Sequence, residues 1–279
     1  MNNINWYPGH MKKTRELIEG HLKKVDLVLE VIDARIPVSS KNPVIDSVVL
    51  HKPRITVFNK ADLSDPKETK KWLRSYREQG ISAVAVNSLS GEGFPALYKR
   101  MEGLRDLKNK DKPVKRPFRI MVVGIPNVGK SSLINRLVKR KGTATGNRPG
   151  VTKGKQWLLM DNGMELLDTP GILWPKFTHR KTGLALGFLG SIKDEILDTE
   201  SLALELIKEL MKIKPEVLWD RYRIETENMT PLEVMEAIAK NRGYLRKAEG
   251  VDYERTARTV LDEFRKGKLG RITLEPLEE

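Results

Sequence analysis

Residues Gly124 to Ser131 read GIPNVGKS. The spacing is G-x-x-x-x-G-K-[ST], a phosphate-loop pattern that counts only where a strand leads in and a helix leads out. Both are expected here. Arg119 to Val123 (RIMVV) is an apolar run of strand length, and Ser131 to Lys139 has helical spacing. Average residue usage puts the fixed positions together by chance in roughly 1% of chains of this length, so a bare glycine turn is the weaker reading. Glycines let such a loop curl until successive N–H groups face a phosphate, and the helix N-terminus adds positive potential. Asn127, Val128, Gly129, Lys130, Ser131 and Ser132 are therefore the candidate phosphate contacts. Lys130 spans the outer phosphates, and the Ser131 hydroxyl is suited to Mg²⁺.

Around that loop, apolar runs alternate with helical segments, as in a parallel sheet wrapped by helices. Candidate strands are Asp26 to Asp33, Arg54 to Phe58, Ile81 to Val86, Arg119 to Val123, Gln156 to Met160 and Met164 to Leu167. Candidate helices are Pro43 to Leu50, Lys67 to Gln79, Pro95 to Leu107 and Ser131 to Lys139. Asp106 to Pro117, charged and punctuated by proline, reads as a solvated connector. Beyond about Lys181 the pattern is helical only. Thr199 to Ile213 places Leu202, Leu206, Leu210 and Ile213 on one face. Thr230, Pro231 and Glu233 form a capping box, opening a helix that Gly243 should stop. Asp252 caps a third helix, with Tyr253, Ala257, Val260, Leu261 and Phe264 on one side and Arg255, Arg258, Arg265 and Lys266 outward. The expected class is α/β. A P-loop domain with a six-stranded, mainly parallel sheet occupies residues 1–180, and a small all-α domain occupies residues 181–279.

Asn59 to Asp62 reads NKAD directly after the strand RITVF, at the carboxyl edge where open α/β sheets bind ligands. A carboxylate at Asp62 accepts from both N1–H and the exocyclic amine of guanine, whereas adenine would leave it desolvated and unpaired. Beside a P-loop, Asn59, Lys60 and Asp62 therefore indicate GTP. Asn87 and Ser88, ending the next strand, offer a backbone N–H for the guanine carbonyl. Asp168 to Gly171 (DTPG) also ends a strand, so Asp168 would hold Mg²⁺ and the Gly171 N–H would meet the γ-phosphate. Thr152, in a loop rich in Gly, Thr, Pro and Lys, is the natural second hydroxyl for Mg²⁺, with a plain loop threonine as the competing reading. Ras-like GTPases carry the P-loop first and the guanine motif late. Here the order is reversed, so the chain reads as circularly permuted, joined around Asp106 to Pro117. The segment after Gly171 then leads straight into the helical region, and ordering of Ile172 to Thr182 would pass nucleotide state to it.

The chain has 279 residues, 51 Lys+Arg and 37 Asp+Glu, for a net charge of +14. Cut at His179, the first part carries +16 and the second −2, and Lys112 to Met160 contains no carboxylate. That excess points to a polyanion larger than one nucleotide. The absence of cysteine excludes disulfides and thiol chemistry. No apolar run is long enough for a transmembrane segment, and the expected location is the cytoplasm.

Taken together, Trp6 to Met11 (WYPGHM), Asp33-Ala34-Arg35 with Pro37, NKAD, GIPNVGKSS, Pro149 to Thr152 (PGVT), DTPGIL and the helical tail resemble the circularly permuted GTPases of the RbgA/YlqF family, ribosome biogenesis GTPase A. The resemblance spans nearly the whole chain. It implies hydrolysis of GTP to GDP during late assembly of the large ribosomal subunit, stimulation by that particle, contact of the tail with rRNA, and a monomer off the ribosome. A signalling switch acting on a protein or membrane effector is the alternative. Ile172 stands where Ras-like enzymes keep a water-orienting glutamine. The resemblance nominates His10 for that catalytic role, a structural or RNA-facing histidine being the competing reading, and nominates Asn127 as a K⁺ ligand.

Overall fold

The computed structural model describes residues 19–49, 52–110, 116–138, 157–168, 179–192, 198–246 and 250–277, with the backbone alone at 44, 47 and 168. β1 (Leu27–Asp33, LVLEVID) is buried along its whole length, as a strand covered on both faces must be. It runs parallel to β2 (Arg54–Asn59) on one side, in register from Val28 with Arg54 to Asp33 with Asn59. On the other side it runs parallel to β4 (Arg119–Val123), from Leu27 with Ile120 to Glu30 with Val123. β3 (Ala83–Ala85) extends the sheet beyond β2, β6 (Glu165–Asp168) lies beyond β4, and β5 (Trp157–Leu159) closes the edge antiparallel to β6. The order is β3-β2-β1-β4-β6-β5. Counted instead from β4, the same sheet reads as one uninterrupted fold whose phosphate strand comes first, so the permutation moves the chain ends without disturbing the strand neighbours.

The first compact unit, Met1–Phe177 with Leu277–Glu279, holds this sheet. Its helices are α1 (Pro43–Val49), α2 (Pro66–Glu78), α3 (Phe94–Asn109) and α4 (Lys130–Leu137). Asp65 starts α2 by accepting the N–H groups of Lys67 and Glu68, with proline at the first helical position. Alternation places Val28, Glu30 and Ile32 on one face of β1. Val28 packs with Ile45, Val49 and Met121 and Ile32 with Phe58 and Tyr76, so the buried Glu30 sits between two apolar clusters. Burial pushes its carboxyl up to about 7, with Arg54 3.4 Å away as the opposing charge.

The proline-rich connector differs from expectation at both ends. α3 continues to Asn109, and Lys108 and Arg116 both pair with the buried carboxylate of Asp26, the latter at 2.9 Å; the same carboxylate accepts the Arg119 N–H at 2.9 Å. The residues flanking the permutation join are therefore tied to the foot of β1.

The second unit, Thr178–Pro276, contains α5 (Arg180–Phe188), α6 (Thr199–Ile213), α7 (Glu216–Tyr222), α8 (Pro231–Arg242) and α9 (Tyr253–Arg265). It also contains a hairpin of two-residue strands, β7 (Leu245–Arg246) and β8 (Gly250–Val251). Strands that short leave no periodic trace, so the helical-only expectation passed over them. The capping box at Thr230 and Glu233 and the left-handed Gly243 stop are both present, as is the Asp252 cap. Leu202, Leu206 and Leu210 are buried as their spacing requires. Arg265 is a correction. Its guanidinium turns back to donate to the carbonyls of Phe188 at 3.0 Å and Gly187 at 2.8 Å, satisfying the open C-terminal end of α5.

Candidate nucleotide-binding site

The carboxyl ends of the strands meet along one edge. Asp33 and Asn59 end β1 and β2 in register, and Asp168 ends β6 opposite Val122 of β4. The winding direction reverses between β1 and β4, and the crevice at such a reversal is where doubly wound sheets hold ligands. Gly124 to Gly129 leave β4 into that crevice and deliver the chain to Lys130, the first residue of α4.

Close approach decides the glycines of this loop. A Cβ on Gly124 would lie 2.4 Å from the Val31 carbonyl oxygen, and one on Gly129 would lie 2.3 Å from Asn59 Nδ2, each with φ in the left-handed half. Asn127 also has positive φ, a conformation asparagine tolerates better than most residues. The Lys130 side chain is buried, and its ammonium donates to the Ile125 carbonyl at 2.9 Å, spanning the loop from within. Ser131 and Ser132 are half-buried on the first turn of α4.

Asn59 fastens three motifs together. Its Nδ2 donates to the carbonyls of Val128 at 2.8 Å and Gly129 at 3.4 Å, while its Oδ1 accepts the Ser88 N–H at 3.3 Å and the Ser88 hydroxyl at 2.7 Å. The residue is buried, so these bonds face no competition from water. Lys60 adds a second link. Its ammonium donates to the Asn127 carbonyl at 2.5 Å and stands 3.1 Å from Asp33 Oδ2.

Asp33 is the electrostatic centre of this edge. It accepts from Arg35 three times, through Nε at 2.9 Å, the guanidinium NH2 at 2.9 Å and the backbone N–H at 3.1 Å, and both side chains are buried. Burial alone would raise the Asp33 carboxyl, but the Arg35 and Lys60 cations outweigh it and hold the group well below the usual carboxylate range. Burial draws Lys60 below the ordinary lysine value, with Asp33 opposing. The sequence reading carried Asp33 and Arg35 only as part of a resemblance. A charged residue closing an otherwise apolar strand, in register with Asn59, was the signal that could have found them.

Asp62 is half-buried beside this cluster, and its carboxylate makes no hydrogen bond to the described residues. Asn87 is occupied differently from the expectation that it offers a backbone N–H. Its N–H goes to the Glu92 carbonyl at 3.0 Å, and its Oδ1 accepts from Leu89 and Ser90, folding the loop on itself. Arg136 of α4, missed by the sequence reading, clamps that loop through the carbonyls of Ser88, at 2.8 Å, and Leu89. His10, Thr152 and Gly171, and most of the stretch from Ile172 to Thr182, lie outside the described residues.

Eight of the twelve cations of the carboxylate-free stretch lie outside the described residues. Its described cations are Arg116, on Asp26; Arg119, 2.7 Å from Glu165 and over the Trp157 ring; Lys130; and Arg136. All four are engaged inside the chain, so they are not a free basic surface. On α9, Arg258 and Lys266 likewise pair with Glu254 at 2.6 Å and Asp262 at 2.9 Å.

A phosphate loop at a sheet reversal, locked through Asn59 and Lys60 to an N-K-x-D edge that precedes it in the chain, defines a circularly permuted P-loop GTPase. A family model described as "50S ribosome-binding GTPase" matches residues 119–230, beginning at β4 and so leaving the NKAD edge outside the match. The chain is 45% identical to ribosome biogenesis GTPase A of Bacillus cereus, over 99% of this chain and 95% of that one. It is 34% identical to mitochondrial ribosome-associated GTPase 1 of mouse, over 97% of this chain and 89% of that one. Among solved structures, GNP-bound YlqF of Thermotoga maritima is 30% identical, with a TM-score of 0.66 over 95% of this chain and 98% of that one. The chain belongs to the ribosome biogenesis GTPase A family. It is a GTPase that binds guanine nucleotide, and no helix among the described residues is long and apolar enough to cross a membrane.

Proposed function

We propose that the chain couples GTP hydrolysis to late assembly of the large ribosomal subunit, binding the pre-ribosomal particle through rRNA and being stimulated by it. The names of its relatives and the "50S ribosome-binding" family description support the particle as target. The observation that carries the nucleotide half is the Asn59 side chain, which joins the base edge, Ser88 and the phosphate loop in one bonded unit.

In this reading Asp62 takes guanine N1–H and the exocyclic amine. The N–H groups of Val128 to Ser132 cradle the β-phosphate, and Lys130 leaves the Ile125 carbonyl for the outer phosphates. Gly171 contributes its N–H to the γ-phosphate. Among the described residues no three His, Cys, Asp or Glu gather as a metal cage. The available donors are the Ser131 hydroxyl, Asp168 at the strand end and Thr152, which with phosphate oxygens and water suit Mg²⁺. The ion would neutralise developing phosphate charge. Asn127 is assigned to K⁺ and His10 to orienting the attacking water, in place of the glutamine that Ile172 replaces.

Exchanging Asp62 for Asn tests the base assignment. The carboxamide presents a donor where guanine has its amine, so GTP affinity should fall at least a hundredfold while xanthosine triphosphate gains. Retained preference for GTP in equilibrium binding would refute the assignment. Equal turnover in K⁺ and Na⁺ would remove the role given to Asn127, and unchanged ribosome-stimulated turnover in His10→Ala would remove that given to His10.

A further inference from the structure

We propose that a basic cavity on the amino edge of the sheet, opposite the nucleotide edge, binds the sugar-phosphate backbone of RNA. The proposal rests on the reading of the chain as a factor that acts on a ribosomal particle. The cavity has a volume of about 780 Å³ and opens where β2 and β3 begin, between α1 and α3. That volume is of the size that holds a nucleotide-sized ligand. Five cations line it, Lys41, Lys52, Arg54, Lys99 and Arg100, against one lining carboxylate, Asp46.

Asp46 is already shared between Lys41, at 3.3 Å, and Arg54. The other three cations have only neutral company. Lys52 donates to the Val25 carbonyl at 2.9 Å, Arg100 to the Ser82 hydroxyl at 2.9 Å, and Lys99 has no carboxylate partner among the described residues. This contrasts with Arg116 and Arg119, whose charges are paired with the carboxylates of Asp26 and Glu165. Exposed like charges gathered around a hollow repel one another unless an anion joins them.

Gly103 points the same way. It sits inside α3 on the cavity wall, where glycine is among the weakest helix formers, yet a Cβ there would meet no atom within 4 Å. Packing therefore gives no reason for the missing side chain, whereas access to the hollow does. Leu104 and Ile81 supply an apolar wall beside the cations. A nucleotide presents an anion with a base face beside it, which fits such a wall; an acidic side chain presents only the anion.

The test uses the full chain, purified large ribosomal subunits and a poly(U) strand of about 20 nucleotides. The variants are Lys99→Gln with Arg100→Gln, both at exposed positions, and Gly103→Glu, which puts a carboxylate into the hollow without a clash. GTP affinity and intrinsic hydrolysis should stay at wild-type levels in both. Removing two single-strand phosphate contacts should make the salt dependence of poly(U) binding shallower by about 1.4 in log–log slope. Gly103→Glu should weaken binding to both poly(U) and subunits about tenfold. Wild-type binding with unchanged affinity and slope in the variants would overturn the cavity assignment while leaving the ribosomal reading intact. Variants that lose a polyglutamate probe but keep poly(U) would overturn RNA in favour of an acidic protein. A wild-type chain that binds neither subunits nor poly(U) would remove the ribosomal reading and this inference with it.

Discussion

Replacing Asp33 by Asn removes one negative charge from a site where two cations converge on it. Arg35 is buried beside it, and Lys60 is held 3.1 Å away while bonded to the Asn127 carbonyl. Asn keeps one carbonyl oxygen but turns an NH2 toward guanidinium donors, so Arg35 loses its two-pronged acceptor and both cations are left facing each other. Breaking a buried pair in this way costs about 3–5 kcal/mol, against a total stability of about 5–15 kcal/mol for a typical domain. At about 2–4 °C per kcal/mol for a domain of this size, the melting temperature of the nucleotide-binding unit should fall by roughly 6–20 °C. Lys60 also loses the charge that fixes its ammonium, so nucleotide affinity should fall with stability. A second signature separates this account from a generic loss of packing. Because Asp33 titrates below the ordinary aspartate value of 3.8, its contribution is complete above that pH and is lost as pH falls through the folded value. The wild type should therefore lose stability in acid more steeply than Asp33→Asn. Calorimetry and fluorescent-nucleotide titration of the two proteins across pH measure both effects. A shift under about 2 °C with parallel acid limbs and equal nucleotide affinity would refute the electrostatic role of Asp33.

Asn59→Ala should cost about 2–4 kcal/mol in denaturant unfolding, since it removes bonds to Val128 and Ser88 and leaves buried partners unsatisfied. Its GTP affinity should fall more than tenfold, and wild-type affinity would contradict the bridging role. Glu30 has the opposite pH sign to Asp33. Unfolded it ionises near 4.5 and folded near 7, so the native state holds the extra proton between those values and stability falls as pH rises through that window. Glu30→Gln should abolish that fall and raise stability above pH 7 by up to about 3 kcal/mol, as a urea series at pH 5 and pH 8 would reveal.

What could be read from the chain was what local chemistry specifies. β4 and α6 were expected at the bounds they occupy, and the caps at Thr230, Gly243 and Asp252 are where their side chains predicted. Each depends on residues within a turn or two of one another. Charge partners were not legible, because they join residues far apart in sequence. Asp26 meets Arg116, Asn59 meets Val128, and Arg136 meets Ser88 only once the sheet has assembled. Summing charge along a segment therefore could not show that Arg116 and Arg119 are paired inside the fold, nor that Lys52 and the neighbouring Lys99 and Arg100, from two separate segments, meet at one cavity. The short helices α5 and α7 and the β7–β8 hairpin escaped for a different reason. Two residues per strand are too few for period to declare itself, and α5 and α7, at nine and seven residues, lack the side-chain N-cap that marks α6, α8 and α9.

Permutation leaves the nucleotide edge intact because that edge is built from strand ends, and strand neighbours do not depend on where the chain is cut. What changes is the order in which the motifs follow one another, and the function proposed for the chain is to couple its nucleotide state to binding of a ribosomal particle. Co-sedimentation with purified large ribosomal subunits, in GDP and in a non-hydrolysable GTP analogue, tests that claim most directly. Binding should be salt-sensitive and about tenfold or more tighter with the analogue. Equal binding in the two nucleotide states, or none in either, would contradict it.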